Sequence, residues 1–90
     1  MNIVQTHSFK RAVKKLYPNQ KQALDDAVRS IMQQPETGNL KKGDLAGVRV
    51  HKFQCFGQLT LLGYHYNADA QVVTLIAIGP HENFYRDLKR

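Results

Sequence analysis

A single cysteine, Cys55, is all the thiol chemistry this chain has. One cysteine excludes an intrachain disulfide, and that fits a reducing compartment, so a cytoplasmic protein is expected. No apolar run approaches the ~18–20 residues of a membrane-spanning helix, and no signal-peptide core follows Met1. Acidic residues are scarce too: seven Asp and Glu face thirteen Lys and Arg, a net charge of +6. A small domain with that surplus attracts polyanions, nucleic acid first among them. The loops that cradle phosphates, G-x-x-x-x-G-K-[ST] and G-x-G-x-x-G, are missing, and so is G-x-S-x-G. Nucleotide-fold and hydrolase readings therefore have no support. Metal ligation is poorly provided for. His7, His51, His65 and His81 include no i, i+4 pair, and Cys55 has no C-x-x-C partner, so neither a metal nor a cofactor is expected.

What is present reads as one domain, residues 1–90. A domain of this size buries roughly 60–68% of its unfolded surface, enough for one modest core. Residues 2–5, with Ile3 and Val4, suggest a short first strand. Phe9, Ala12, Val13 and Leu16 recur at i, i+3, i+4, i+7, which predicts a helix over residues 8–16 with Thr6 or Ser8 as its N-cap. Lys10, Arg11, Lys14 and Lys15 fall on its opposite side. Pro18 ends that helix and starts a second over residues 18–33, with Leu24, Val28, Ile31 and Met32 inward. So short a turn between helices predicts an antiparallel helical hairpin.

Residues 35–44 read as a loop by composition. The hydrophobic period then changes to two. Strands are expected over residues 48–54, 58–66 and 71–78, with a hairpin tip at Phe56-Gly57, a turn at 67–70 and Gly79-Pro80 ending the sheet. A short helical turn over residues 81–89 closes the chain. The order β-α-α-β-β-β describes an α+β domain: a helical hairpin packed on one face of a small antiparallel sheet, the other face free unless a partner covers it.

Three places hold side chains with chemistry. Cys55, beside the hairpin tip, reads either as a reactive thiol or as a small semi-apolar turn residue; only Lys52 is basic nearby. Strand alternation sets Arg49 and His51 on one sheet face and Lys52 and Gln54 on the other. These basic groups make either a phosphate-binding surface or a solvated sheet face. The last segment, GPHENFYRDLKR, is the densest in reactive groups. A helical turn would align His81 with Tyr85 at i, i+4, with Arg86 beside them. Imidazole, phenol and guanidinium are the parts that move protons around a phosphodiester. The bland alternative is a basic tail whose Phe84 and Tyr85 pack onto the sheet.

At these residues the chain resembles the RelE/ParE superfamily of bacterial toxins from toxin–antitoxin pairs. The likeness rests on SFKRAVKKLYPNQKQALDDAV, then LAGVRVHKF, a G-x-L-T-L-L strand and IGPHENFY, in that order along nearly the whole chain. The resemblance implies a small antiparallel sheet backed by a helical hairpin. It also implies one of two activities: ribosome-dependent mRNA cleavage in the decoding site (RelE-like and YafQ-like members), or poisoning of DNA gyrase without chemistry of its own (ParE-like members). His81 matches the Arg or His that the nuclease branches place after the last strand, Tyr85 the aromatic beyond it, and Lys52 a second-strand Lys or His. Val50 and Thr60 depart from the pattern, standing where many RelE-like toxins carry basic residues; Arg49, His51 or Arg86 would then have to compensate. On this basis Lys52 and Arg49 are expected to stabilise charge, His81 to act as general acid or base, and Tyr85 to stack or share proton transfer. Lys10, Lys14 and Lys15 read either as contacts to ribosomal RNA phosphates or as a solvated helix face. The implied partners are an acidic antitoxin, the ribosome and mRNA.

Overall fold

The computed structural model describes residues 1–88. The chain runs β1 (Asn2–Gln5), α1 (His7–Lys14), α2 (Pro18–Gln33), β2 (Asn39–Leu40), a turn of 3-10 helix (Gly43–Leu45), β3 (Arg49–Cys55), β4 (Gln58–Asn67), β5 (Val72–Pro80) and α3 (His81–Leu88). The five strands form one sheet in the order β1-β5-β4-β3-β2.

Local chemistry accounts for the helices. Thr6 caps α1 by accepting from the Phe9 amide (3.2 Å), which satisfies one of the open N–H groups of the first turn. Pro18 occupies the first turn of α2, where its missing N–H costs nothing, and Gln20 Oε1 accepts from the Tyr17 amide (2.9 Å). The apolar stripes of both helices meet the sheet. Phe9, Leu24, Ala27 and Ile31 are buried against Leu62, Tyr64, Val73 and Leu75, with α1 over β5 and α2 against β3.

The hairpin tip falls at Phe56-Gly57. Both residues have positive φ, 54° and 80°, as a two-residue turn requires if it is to match the twist of its strands. The β3–β4 register runs from Cys55↔Gln58 to Arg49↔Tyr64, and the β4–β5 register carries a bulge at Gly63/Tyr64.

Five expectations change. The loop at 35–44 contains β2, whose two residues pair with Val50 and Arg49 of β3. The sheet is mixed, because β1 runs parallel to β5. The direction of β1 follows from where α1 must start. Thr6 donates its amide to Leu75 O (3.0 Å) and its hydroxyl to Ile76 O (3.2 Å), so the first helix is tied to the middle of β5. Helix α1 ends at Lys14, with Lys15 as its C-cap. Strand β5 continues through Gly79-Pro80, where Pro80 pairs with Thr60; β1 pairs with β5 only at Val72–Leu75, so at Pro80 the strand is a local edge, where a proline is tolerated. Finally, α3 lies on the sheet face opposite α1 and α2, where Phe84 is buried with Val50 and Leu61. That second face is therefore partly covered by the chain itself. Of the closing turn expected at 81–89, Lys89 lies outside the described residues.

Candidate functional site

Strand parity divides the candidate residues between the two faces. Arg49, His51 and Phe53 stand opposite Tyr64, Leu62 and Thr60. Leu62 and Tyr64 belong to the core under α1 and α2, so Arg49 and His51 share the helix-covered face. Val50 and Lys52 stand opposite Gly63 and Leu61, the residues beneath α3.

On the helix-covered face Arg49 does structural work. Arg49 Nη1 donates to Glu36 O and Gly38 O, both at 3.1 Å. Tyr64 Oη donates to Pro35 O (2.7 Å) and accepts from the Gly38 amide (3.0 Å). Together they fasten the segment that leaves α2. Burial pushes the Tyr64 phenol above its ordinary pKa, against the opposing pull of the Gly38 N–H and the Arg49 charge. His51 stacks on Phe53 (centroids 6.3 Å, planes 25° apart) and lines a cavity of about 230 Å³ with Asp26, Ala27 and Ser30 of α2. Burial there lowers its pKa, because a charged imidazole loses hydration. Cys55 is half-buried in a mostly apolar cavity of about 270 Å³ between the helices and the strand ends, with Leu16, Phe53 and Ile78; its one charged lining residue is Lys15.

The other face holds the remaining candidates. Lys52 is exposed and forms no ion pair among the described residues. It pairs with Leu61, and Leu61 pairs with Gly79. At the usual strand spacing Lys52 and Gly79 lie about 10 Å apart. A Cβ built at Gly79 meets no heavy atom within 4 Å, so the floor is open there. His81, exposed, begins α3 two residues further on, and helical spacing sets Tyr85 on the same side of α3. The Tyr85 ring stands edge-on to Phe84 (5.2 Å, 89°) and carries Lys41 Nζ 5.5 Å from its centroid. The fold thus brings Lys52, His81 and Tyr85 to one face and leaves Arg49 and His51 on the other. Arg86 sits on α3 and is exposed.

Two further observations bear on charge. Val50 is 1% exposed and Thr60 8%, so both positions where the resemblance leads to basic residues are given over to packing. Lys41 escapes a reading of the sequence; nothing local to the 35–44 segment signals a cation set over a ring 44 residues later. Lys10, Arg11 and Lys14 of α1 and its C-cap Lys15 are all exposed, and the helix contains no acid. The basic residues of α2 are instead paired, Lys21 with Asp25 (2.6 Å) and Arg29 with Asp26 (3.0 Å).

The sequence model of the ParE-like toxin of type II bacterial toxin–antitoxin systems matches residues 3–89. The chain belongs to that family. It is a toxin of RelE/ParE type, and solved structures of such toxins share its fold. The RelBE2 toxin–antitoxin complex of Mycobacterium tuberculosis superimposes with a TM-score of 0.77 at 17% identity, over 89% of this toxin and 96% of that chain. The intact E. coli RelBE complex gives 0.70 at 17% identity, over 86% and 92%. The isolated E. coli RelE toxin gives 0.70 at 17%, over 87% and 81%. A search of curated protein sequences returned no significant match.

Proposed function

We propose that this toxin is a metal-independent endoribonuclease that cuts mRNA in the ribosomal decoding site and so stops translation in the cytoplasm. The observation that supports the reading is the grouping of Lys52, His81 and Tyr85 on one sheet face, around the open floor at Gly79. Cleavage begins when the ribose 2′-OH attacks the neighbouring phosphate. A base accepts the hydroxyl proton, the bond to the 5′-oxygen breaks, and an acid protonates that oxygen, leaving a 2′,3′-cyclic phosphate. His81 carries out one of the two proton transfers. Lys52 supplies fixed positive charge against the charge that builds on the phosphate oxygens. Tyr85 stacks on a base or shares in proton transfer, with Arg86 beside it on α3. Lys10, Lys14 and Lys15 hold RNA phosphates from α1. Off the ribosome, an acidic antitoxin peptide that orders as it binds neutralises the same positive surface.

The test uses ribosomes programmed with a defined mRNA. Cut ends should carry a 2′,3′-cyclic or 3′-phosphate and a 5′-hydroxyl, and a 2′-deoxy substitution at the scissile nucleotide should abolish cutting. His81→Ala should slow cutting ~10²–10⁴-fold, the usual worth of a positioned acid or base. The ParE-like family description favours a second reading, inhibition of DNA gyrase by binding alone. Early DNA damage with translation intact after induction would decide for that reading and against the nuclease.

A further inference from the structure

Phe56 is out of place by every local rule. The two-residue tip of the β3–β4 hairpin needs positive φ at both central positions, and Asn-Gly or Asp-Gly is the usual solution. Here a phenylalanine holds φ 54°, a conformation in which a bulky side chain crowds its own backbone. The ring gains no burial in exchange. It is 70% exposed, and the aromatic contacts of the described residues, His51–Phe53 and Phe84–Tyr85, do not include it. An apolar ring that is both strained and solvated is best explained by something the folded chain does not contain.

The surroundings narrow that something down. Gln54 and Lys52 lead away from the tip along the open face of β3. Thr60 pairs with Pro80, so α3 and its first residue, His81, begin about 10 Å of strand from Gly57. An RNA strand that crosses this face from the ring has amide and ammonium groups on its β3 flank and the imidazole two strands across, at the end of β5. Alternation of cations with an exposed ring is how proteins hold single-stranded nucleic acid, because every base offers a face to stack on while the backbone needs neutralising. We infer that Phe56 is a stacking platform for an unpaired nucleobase flanking the scissile phosphate; this rests on the nuclease reading above. The strain at φ 54° is kept because a residue better suited to the turn would have no ring.

The inference predicts that stability and function move in opposite directions. Phe56→Asn suits the turn, so its melting temperature should equal or exceed that of the wild type. Its kcat/KM on programmed ribosomes should nonetheless fall roughly 5- to 150-fold, the equivalent of one lost base stack, chiefly through KM. Phe56→Trp should recover most of that loss. The chain has no tryptophan of its own, so this variant also carries a single reporter. Its emission should be quenched by a short single-stranded RNA and not by an abasic strand of equal length. Cutting by Phe56→Asn at the wild-type rate would overturn the inference and leave the nuclease reading standing. The inference fails in the same way if Phe56→Asn loses only affinity for an acidic antitoxin, since the ring would then serve a protein partner. Wild-type toxin that cuts no mRNA on programmed ribosomes overturns the nuclease reading, and this inference with it.

Discussion

Gly63→Ala probes how α3 is held over the sheet. A Cβ at Gly63 would lie 2.9 Å from Phe84 Cζ, whereas carbon atoms rest at about 3.5–4.0 Å. Something must move by roughly 0.6–1.1 Å, and the ring has little freedom, being 2% exposed among Val50 and Leu61. The backbone contributes no confounding strain, because Gly63 has no positive φ and alanine fits a strand. If the core absorbs the methyl, overpacking costs about 1–3 kcal/mol. If α3 lifts off, Phe84 returns to water at a cost of about 1.5–3 kcal/mol. The two routes predict a similar loss, a fall in melting temperature of roughly 5–20 °C for a domain this size. Amide exchange separates them, since lifting exposes α3 while the helix-covered core stays protected. Phe84→Leu removes the clashing atom, so the double variant should lose less than the sum of the two singles, with a coupling of about 0.5–3 kcal/mol. Gly79→Ala, where nothing lies within 4 Å, should leave the melting temperature nearly unchanged. A wild-type melting temperature and normal α3 protection in Gly63→Ala would refute the placement of Phe84 on Gly63.

Tyr64→Phe should cost about 1–3 kcal/mol in urea denaturation, because the buried Gly38 amide loses its acceptor. Arg49→Ala should destabilise the same 35–38 segment through its two carbonyls, and unchanged unfolding midpoints in both variants would contradict this clasp. Stability should also fall on acidification. His51 has its pKa lowered in the fold, so between that lowered value and about 6.5 the unfolded chain binds more protons than the folded one. The contribution is complete above about 6.5 and is lost as pH drops through the folded value. Urea midpoints from pH 8 to 5 should show the decline, and His51→Gln should flatten it; equal slopes for the two proteins would sink the argument.

The parts of the fold legible in sequence were those whose signal is local. The stripe of Phe9, Ala12, Val13 and Leu16 marks α1, and Pro18 places the start of α2. Alternation between Arg49 and Cys55 marks β3, and Phe56-Gly57 marks its turn. What escaped depends on distant partners. Asn39–Leu40 is a strand only because Val50 and Arg49 lie beside it. The parallel pairing of β1 is fixed by Thr6 reaching β5, about seventy residues later in the chain. The side of the sheet that α3 takes shows only in the packing of Phe84 against Gly63, Val50 and Leu61, and Gly63 in sequence is merely a glycine within a strand. Parity separated Arg49 and His51 from Lys52, but it could not say which set α2 would cover. The fold assigned Arg49 to the Glu36 and Gly38 carbonyls.

That assignment alters the electrostatics of the proposed nuclease. The helix-covered face needs a continuous apolar core, so its strand positions are filled by Phe53, Leu62 and Tyr64. The opposite face carries a smaller core of Val50, Leu61 and Phe84, and the site has only what that core leaves. A cation at position 50 would have to displace Phe84, and with it the helix that brings His81 and Tyr85 into place. Val50 therefore trades one positive charge for the docking of α3. Lys52 is then the principal fixed cation of β3 on this face, with Lys41 held over the Tyr85 ring as a neighbour from the 35–44 segment. Val50 leaves Lys52 without a second β3 cation on this face, so neutralising Lys52 should slow cutting on programmed ribosomes more than it would beside another strand cation. The same economy explains the place of an exposed ring at the hairpin tip. Where fixed charge is limited, base stacking adds affinity without another cation, and its contribution resists salt better than phosphate contacts do.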